Sequence, residues 1–318
     1  MRRTKMENNK TIKQTIKDAE KGNAEAQCGL GRCFLKGDGV EKNETEAFKW
    51  IRKAAEQKFA DAQFMLGVCY QQGFGVEKDE AEASRCFGYA AEQGHAKAQH
   101  NLALCYFCGV KGIKIDKEEA AKWFCKAAEQ GLAQSQFMLG VCCYNGDGIE
   151  KSIAKAANWY RKAAEQGHAK AQHYLGICYT LGGKGFKKDM TEAVKWFRNA
   201  AEQGHADAQF MLGRCYSTGE GIESNQEEAK KWYGKSAEQG NAEAQYWFGN
   251  FCDGEEAVKW YRKAAGQGNA EAEYALARCY RDGNGVEKDE NTAMGWLRSA
   301  ARHGHRFAKI ALRYKTGR

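Results

Sequence analysis

The chain has 318 residues, 43% hydrophobic and 28% charged, a composition that excludes a disordered or fibrous protein and leaves room for two globular domains or one elongated array. No stretch approaches the roughly 18 consecutive apolar residues of a membrane span, and the amino terminus, MRRTKMENNK, lacks the apolar core of a secretory signal, so a soluble cytoplasmic protein is expected. The formal net charge of +8 sits at the two ends: residues 291–318 carry seven Lys/Arg and no acid, residues 1–21 carry seven basic against three acidic side chains, and the span between is slightly acidic. A nucleic-acid groove needs a continuous basic track with stacking aromatics, which this distribution does not provide.

Residues 1–21 read as a polar segment and capping helix. Beyond them a motif ending in AEQG or a variant recurs, its last residue falling at Gly22, Lys58, Gly94, Gly131, Gly167, Gly204, Gly240, Gly268 and Gly304. The interval is 36 or 37 residues except for one of 28. A fixed period of this size predicts stacked repeats, here over 22–303 with units starting near 22, 58, 94, 131, 167, 204, 240 and 268, closed by a basic capping helix at 304–318.

Each unit resolves into two helices. The first, as in 95–108, repeats Ala, Ala-Gln, Leu-Gly/Ala and Cys-Tyr. The second repeats Ala, a Trp three residues on and an Ala-Ala pair at seven and eight, as in Ala156, Trp159, Ala163 and Ala164, which puts one stripe of small residues and indoles on a single helical face. Between them lies a loop such as GFGVEKDE at 73–80, whose glycines suit left-handed backbone and whose Asp or Asn suits the next N-cap. The combined pattern, A-x-A-Q-x-x-L-G-x-C-Y-x-x-G-x-G-V-x-K-D-x-x-x-A-x-x-W-x-x-K-A-A-E-Q-G, resembles the Sel-like repeat family, tetratricopeptide-related helix pairs, over roughly residues 20–310. The resemblance implies an all-α, right-handed superhelical solenoid of about eight helix-turn-helix repeats that acts as an adaptor between proteins, in signalling, protein-degradation or bacterial host-interaction settings.

A cysteine-rich extracellular branch of that family staples each repeat with a disulfide between the second Ala of the Ala-Ala pair and the Gln of the next helix. The matching residues here are Ala91 and Gln99, Ala128 and Gln136, and Ala164 and Gln172, so those bridges are not expected, nor is the penicillin-hydrolysing activity sometimes attached to that branch. Seven of the thirteen cysteines, Cys33, Cys69, Cys105, Cys142, Cys178, Cys215 and Cys279, share one place beside the Tyr or Phe of the first helix and read as small buried hydrophobes. Cys105 and Cys108 make a lone C-x-x-C, short of the four ligands of a structural zinc site, and His95 with His100, like His168 with His173, is five residues apart and diverges around the helix. LGGKGF at 181–186 occupies the inter-helix turn and lacks the G-K-S/T ending of a phosphate loop. No catalytic residue, metal or cofactor is expected.

Binding is therefore argued from faces. At 100° per residue, Ala96, Ala98, Gln99, Leu102, Ala103, Cys105 and Tyr106 fall on one arc of the first helix and repeat from unit to unit, whereas Lys97, His100, Asn101, Leu104, Phe107 and Cys108 fall on the other and vary. Repetition marks what stacking demands, so the varying arc is expected to line a concave recognition surface. Its candidates for contacting a partner are Met65, Val68, His100, Leu104, Met138, Val141, Tyr174, Ile177, Met211, Arg214, Tyr246, Trp247 and Arg278, joined by Phe64, Phe137, Phe210 and Tyr274, with the Phe, His and Tyr layer open to a second use in packing neighbouring repeats. The 28-residue unit lacks essentially the G-x-G-V-x-K-D turn, so Phe251 stands where the ladder cysteine should be, and Trp247 lies on the varying arc with no stacking reason to be Trp. The expectation is a monomeric, non-enzymatic scaffold for a protein or peptide partner, with no role for nucleic acid or membrane. A weak hydrolase like that of the cysteine-rich branch, and an exported bacterial effector, are the alternatives.

Overall fold

The computed structural model describes residues 12–315; polar residues 1–11 and the last three residues of the expected C-terminal cap lie outside it. The chain divides into two compact units, Met1–Gln166 and Gly167–Arg318. The first holds α1 over residues 12–20, then α2 (Ala24–Lys36), α3 (Glu44–Glu56), α4 (Ala60–Gln72), α5 (Glu80–Glu92), α6 (Ala96–Cys108), α7 (Lys117–Glu129), α8 (Ala133–Asn145) and α9 (Ile153–Glu165). The second holds α10 (Ala169–Leu181), α11 (Met190–Glu202), α12 (Ala206–Thr218), α13 (Gln226–Glu238), α14 (Ala242–Gly249), α15 (Gly254–Ala265), α16 (Ala270–Asp282), α17 (Glu290–Arg302) and α18 (Arg306–Lys315). Even-numbered helices from α2 to α16 are the first helices of the repeats, and each pairs with the helix that follows it.

Helix ends fall where capping chemistry dictates. Six of the eight first helices begin at Asn or His, where the Asn23 side chain accepts from the Ala26 amide and Nδ1 of His95 accepts from Ala98 N at 3.1 Å; α4 and α8 begin at Phe59 and Leu132 without a side-chain cap bond. Second helices begin at Asp, Asn or Ser, as where Asp116 accepts from Glu119 N. Most first helices end at a glycine whose amide returns to the ladder cysteine's carbonyl, Gly37 to Cys33 O at 2.8 Å with φ 73°. The second glycine of the turn has a packing duty as well. A Cβ on Gly75 would stand 2.1 Å from the carbonyl oxygen of Glu44, at the start of the preceding second helix, so the turn can touch that helix only without a side chain.

The core of each unit is built of rings and small residues. Phe87, Phe124, Tyr160, Phe197 and Tyr233 of the second helices are fully buried beside the alanines of the Ala-Ala pairs. Buried amides link successive helices: Gln99 donates to Ala91 O at 3.1 Å and accepts from Gln130 Nε2 at 2.8 Å, and Gln136 repeats the pattern with Ala128 and Gln166. Two of the positions at which the disulfide-bearing branch would be stapled are thus joined by a hydrogen bond. All thirteen cysteines are free.

Candidate functional site

The two arcs of the first helices have different environments. On α6 the repeating residues Ala98, Gln99, Leu102, Ala103 and Cys105 are buried, while His100 and Leu104 of the varying arc are half-buried. The same half-burial holds for Met65 and Val68 on α4, Met138 and Val141 on α8, Tyr174 and Ile177 on α10, Met211 and Arg214 on α12, and Tyr246 on α14. Trp247 is 39% exposed and Arg278 on α16 is exposed.

Part of this surface is occupied by stacking between repeats. Phe64 stacks on His95 with centroids 4.6 Å apart, His173 on His205 at 4.9 Å, and Tyr274 on His305 at 4.2 Å, so the ring layer reaches the N-cap of the next repeat. His100 is tied down as well: its Nδ1 lies 2.8 Å from Ser135 Oγ and its ring 5.6 Å from Phe124. Met65, Val68, Leu104, Met138, Ile177 and Met211 keep one side on the hydrophobic clusters beneath them. Burial lowers the pKa of His95, His100 and His205, and that of His173 is pushed down to about 4, first by desolvation and then by His205, its Nδ1 being buried without a hydrogen-bond partner.

Two concavities open on this arc. In the first unit, Arg32, Leu35, Asp61, Met65, His95 and Lys97 border one of about 510 Å³. In the second, Tyr246, Asn250, Glu271, Tyr274, Arg278 and Asp282 border one of about 250 Å³, beside the shortened turn. The structure therefore gathers Tyr246, Tyr274 and Arg278 at one concavity and Phe64 and Met65 at the other, and leaves the remaining candidates spread along the helices. It adds charged residues that sequence reasoning did not select: Arg32, Asp61, Glu271 and Asp282. Their signal was available, since 61, 97 and 271 are one first-turn position whose charge changes from unit to unit.

Trp247 lies outside both concavities. It stacks on Tyr233 of α13, centroids 6.1 Å apart and 15° between planes, and meets Tyr246 edge-on at 5.4 Å. The shortened unit leaves α14 with eight residues and joins it to α15 through Asn250–Asp253, where Phe251 also packs near Tyr233 and Asp253 makes no side-chain cap bond.

Chemistry beyond binding has little support among the described residues. They contain no group of three or more His, Cys, Asp or Glu placed for a metal ion. Burial raises the thiols of Cys69, Cys142 and Cys178 to about 12, which keeps them protonated and unreactive at neutral pH. Gly182–Phe186 forms a tight turn closed by the Gly183–Phe186 bridge. No described helix is long and apolar enough to cross a membrane.

The Sel1 repeat family matches residues 24–59, 60–95, 96–132, 133–168, 169–205, 206–241, 244–269 and 270–305. Two solved structures share both fold and sequence. One is c5321, described as a protective antigen present in uropathogenic Escherichia coli strains and displaying an SLR fold, 35% identical with a TM-score of 0.87 over 96% of this chain and 67% of its own. Another is a Sel1 repeat protein from Oxalobacter formigenes, 32% identical with a TM-score of 0.70 over 95% of this chain and 89% of its own. No relative among curated proteins matches. Sel1 repeat proteins are generally protein-interaction scaffolds. With eight matched units and the all-α repeat solenoid fold in common with these structures, the chain belongs to the Sel1 repeat family.

Proposed function

We propose that this chain is a non-enzymatic scaffold that holds a protein or peptide partner along the varying arc of its first helices, with Trp247 as an anchor. The observation that carries the reading is the contrast between the buried repeating arc and the solvent-reached varying arc, on which the largest side chain of all is 39% exposed. An exposed Trp edge-on to Tyr246, whose concavity also holds Arg278, has the residue types of interface hot spots. Affinity capture from source-cell lysate with wild type and Trp247→Ala, read by mass spectrometry, tests it. An anchor loses its partners by about 2 kcal/mol or more of binding with little change in melting temperature. A variant that melts earlier yet captures the same partners contradicts the anchor and makes Trp247 a cover for Tyr233.

The same reading places the chain in the reducing cytoplasm as a monomer, with all thirteen cysteines titrating as free thiols in denatured protein; three or more disulfides would overturn that location. The description of the 35% identical relative as a protective antigen of a pathogen favours a second reading, an exported protein acting on a host. Detecting the protein in the culture medium or on the surface of intact cells would decide for it.

A further inference from the structure

Seven of the eight units carry Trp at one point of the second helix: Trp50, Trp123, Trp159, Trp196, Trp232, Trp260 and Trp296. The second unit has Cys86 instead. In five units the indole joins a cluster drawn from two other helices. Trp123 packs against the cluster that holds Ala90 and Ala91 of the preceding second helix and Leu102 of its own first helix. Trp232 belongs to the cluster of Ala201, Leu212 and Tyr216, Trp296 packs against that of Ala265 and Leu276, Trp159 against that of Ala128 and Leu139, and Trp50 against that of Ala19 and Leu30. The corresponding residues of the second unit are Ala55, Leu66 and Tyr70, and together with Cys86 they border an open concavity of about 850 Å³. Among the described residues, no ring of α5 packs against the cluster that holds Ala55 and on which Leu66 packs. This slot is therefore lined like the five filled ones and lacks its indole.

The charge around it points the same way. In five units a lysine one turn after the Trp holds its ammonium 3.8 to 4.5 Å from the indole centre: Lys53, Lys126, Lys162, Lys235 and Lys263. The second unit places Tyr89 there, 52% exposed. Around the slot Glu56 pairs with Arg52 and Glu82 with Arg85, which leaves Glu92 as the bordering carboxylate outside those pairs. An indole and the ammonium that follows it are thus both missing from a slot lined like those of the other units, with Glu92 at its border. We propose that this slot between α3, α4 and α5 binds a tryptophan presented by a partner's helix, with a lysine one turn after it. An indole buries about 150–250 Å² on entering such a site, and the volume lies within the usual range of ligand pockets. The slot meets α4 through Gln63, Leu66 and Tyr70, not through Met65 and Val68, and so is distinct from the first-helix surface proposed above.

The test is fluorescence anisotropy of a fluorescein-labelled, alanine-based helical peptide of about 16 residues containing Trp-x-x-Lys, titrated with the full-length protein, beside the same peptide with Ala for Trp. The expected result is saturable binding of the Trp peptide and binding about tenfold weaker or more for the Ala peptide. Cys86→Trp fills the slot from within and abolishes binding, at an equal or higher melting temperature. Tyr89→Lys, at an exposed position, supplies the cation and weakens the peptide about threefold by charge repulsion. Equal binding of the two peptides, binding by neither, or wild-type affinity in a cooperatively melting Cys86→Trp protein overturns the proposal. Should Cys86→Trp fail to fold, Tyr89→Lys decides, and unchanged affinity there overturns it.

Discussion

The third repeat, α6 with α7, and the seventh, α14 with α15, do the same structural job with different material. The third has a full first helix, a long turn and an Asp116 cap bond; the seventh has an eight-residue first helix, almost no turn and no side-chain cap bond at Asp253. Both keep the buried amide ladder. Gln99 bonds Ala91 O and Gln130, and Gln245 bonds Ala237 O and Gln267 at 3.1 and 2.9 Å. Stacking thus needs the helix faces and the Gln link, and the turn is expendable, as loops outside the core are. What the deletion changes is the varying surface, where Trp247 and the concavity at Tyr246 and Arg278 lie.

Truncating the ring core should separate the two repeats most strongly. Phe124→Ala in the third removes a fully buried ring and is expected to cost about 3–5 kcal/mol, whereas Phe251→Ala in the seventh, where the ring is half-buried, should cost about 1–2 kcal/mol, both read by denaturant unfolding. Equal costs would show that the seventh repeat is packed as tightly as the rest. Trp159→Ala belongs between them, because its indole is half-buried and covered by Lys162.

Acid comes next. His173 has a folded pKa of about 4 against an ordinary 6.5, so the fold favours the neutral ring. That contribution is complete above pH 6.5, falls as the unfolded chain takes up the proton, and is lost by about pH 4, a change on the order of 2–4 kcal/mol. Phe64, Phe137 and Phe210 occupy the equivalent place in other units, so His173→Phe should flatten the stability profile between pH 6.5 and 4 and leave neutral-pH stability equal or higher. An unchanged acid slope in the variant would assign the loss to other groups. The smallest effect is expected at Lys58, the only described residue other than glycine with positive φ, at 63°, where the other repeats have Gly. Lys58→Gly should raise stability by about 0.5–1 kcal/mol in the same unfolding assay, and a loss would mean that its side chain contributes packing.

The repeat period, the two helices per unit, their caps and the seven-cysteine ladder were legible in the sequence, because each follows from local chemistry repeated at a fixed interval. Side-chain partners about 30 residues apart were less so. That Phe64 stacks on His95 and His100 meets Ser135 depends on which residue the next repeat brings opposite. The eighth repeat makes the point with charge: Glu273 replaces the ladder Gln, is 2% exposed, accepts from Ser299 Oγ at 2.7 Å and faces His303 Nδ1 at 2.9 Å. Each substitution looks minor alone, and the three make sense only as one group around the buried Glu273 carboxylate. The vacancy at Cys86 was readable in principle as the one unit without its Trp, but its consequence is a space, and spaces are not written in residue types.

The central claim is that partners are held by the varying arc of the first helices. Hydrogen exchange of the purified protein with and without a captured partner tests it most directly. The account predicts new protection over α14 and neighbouring first helices, centred on Trp247, with α11, α13 and α17 unchanged. Protection confined to second helices, with α14 exchanging as in the free protein, would contradict it.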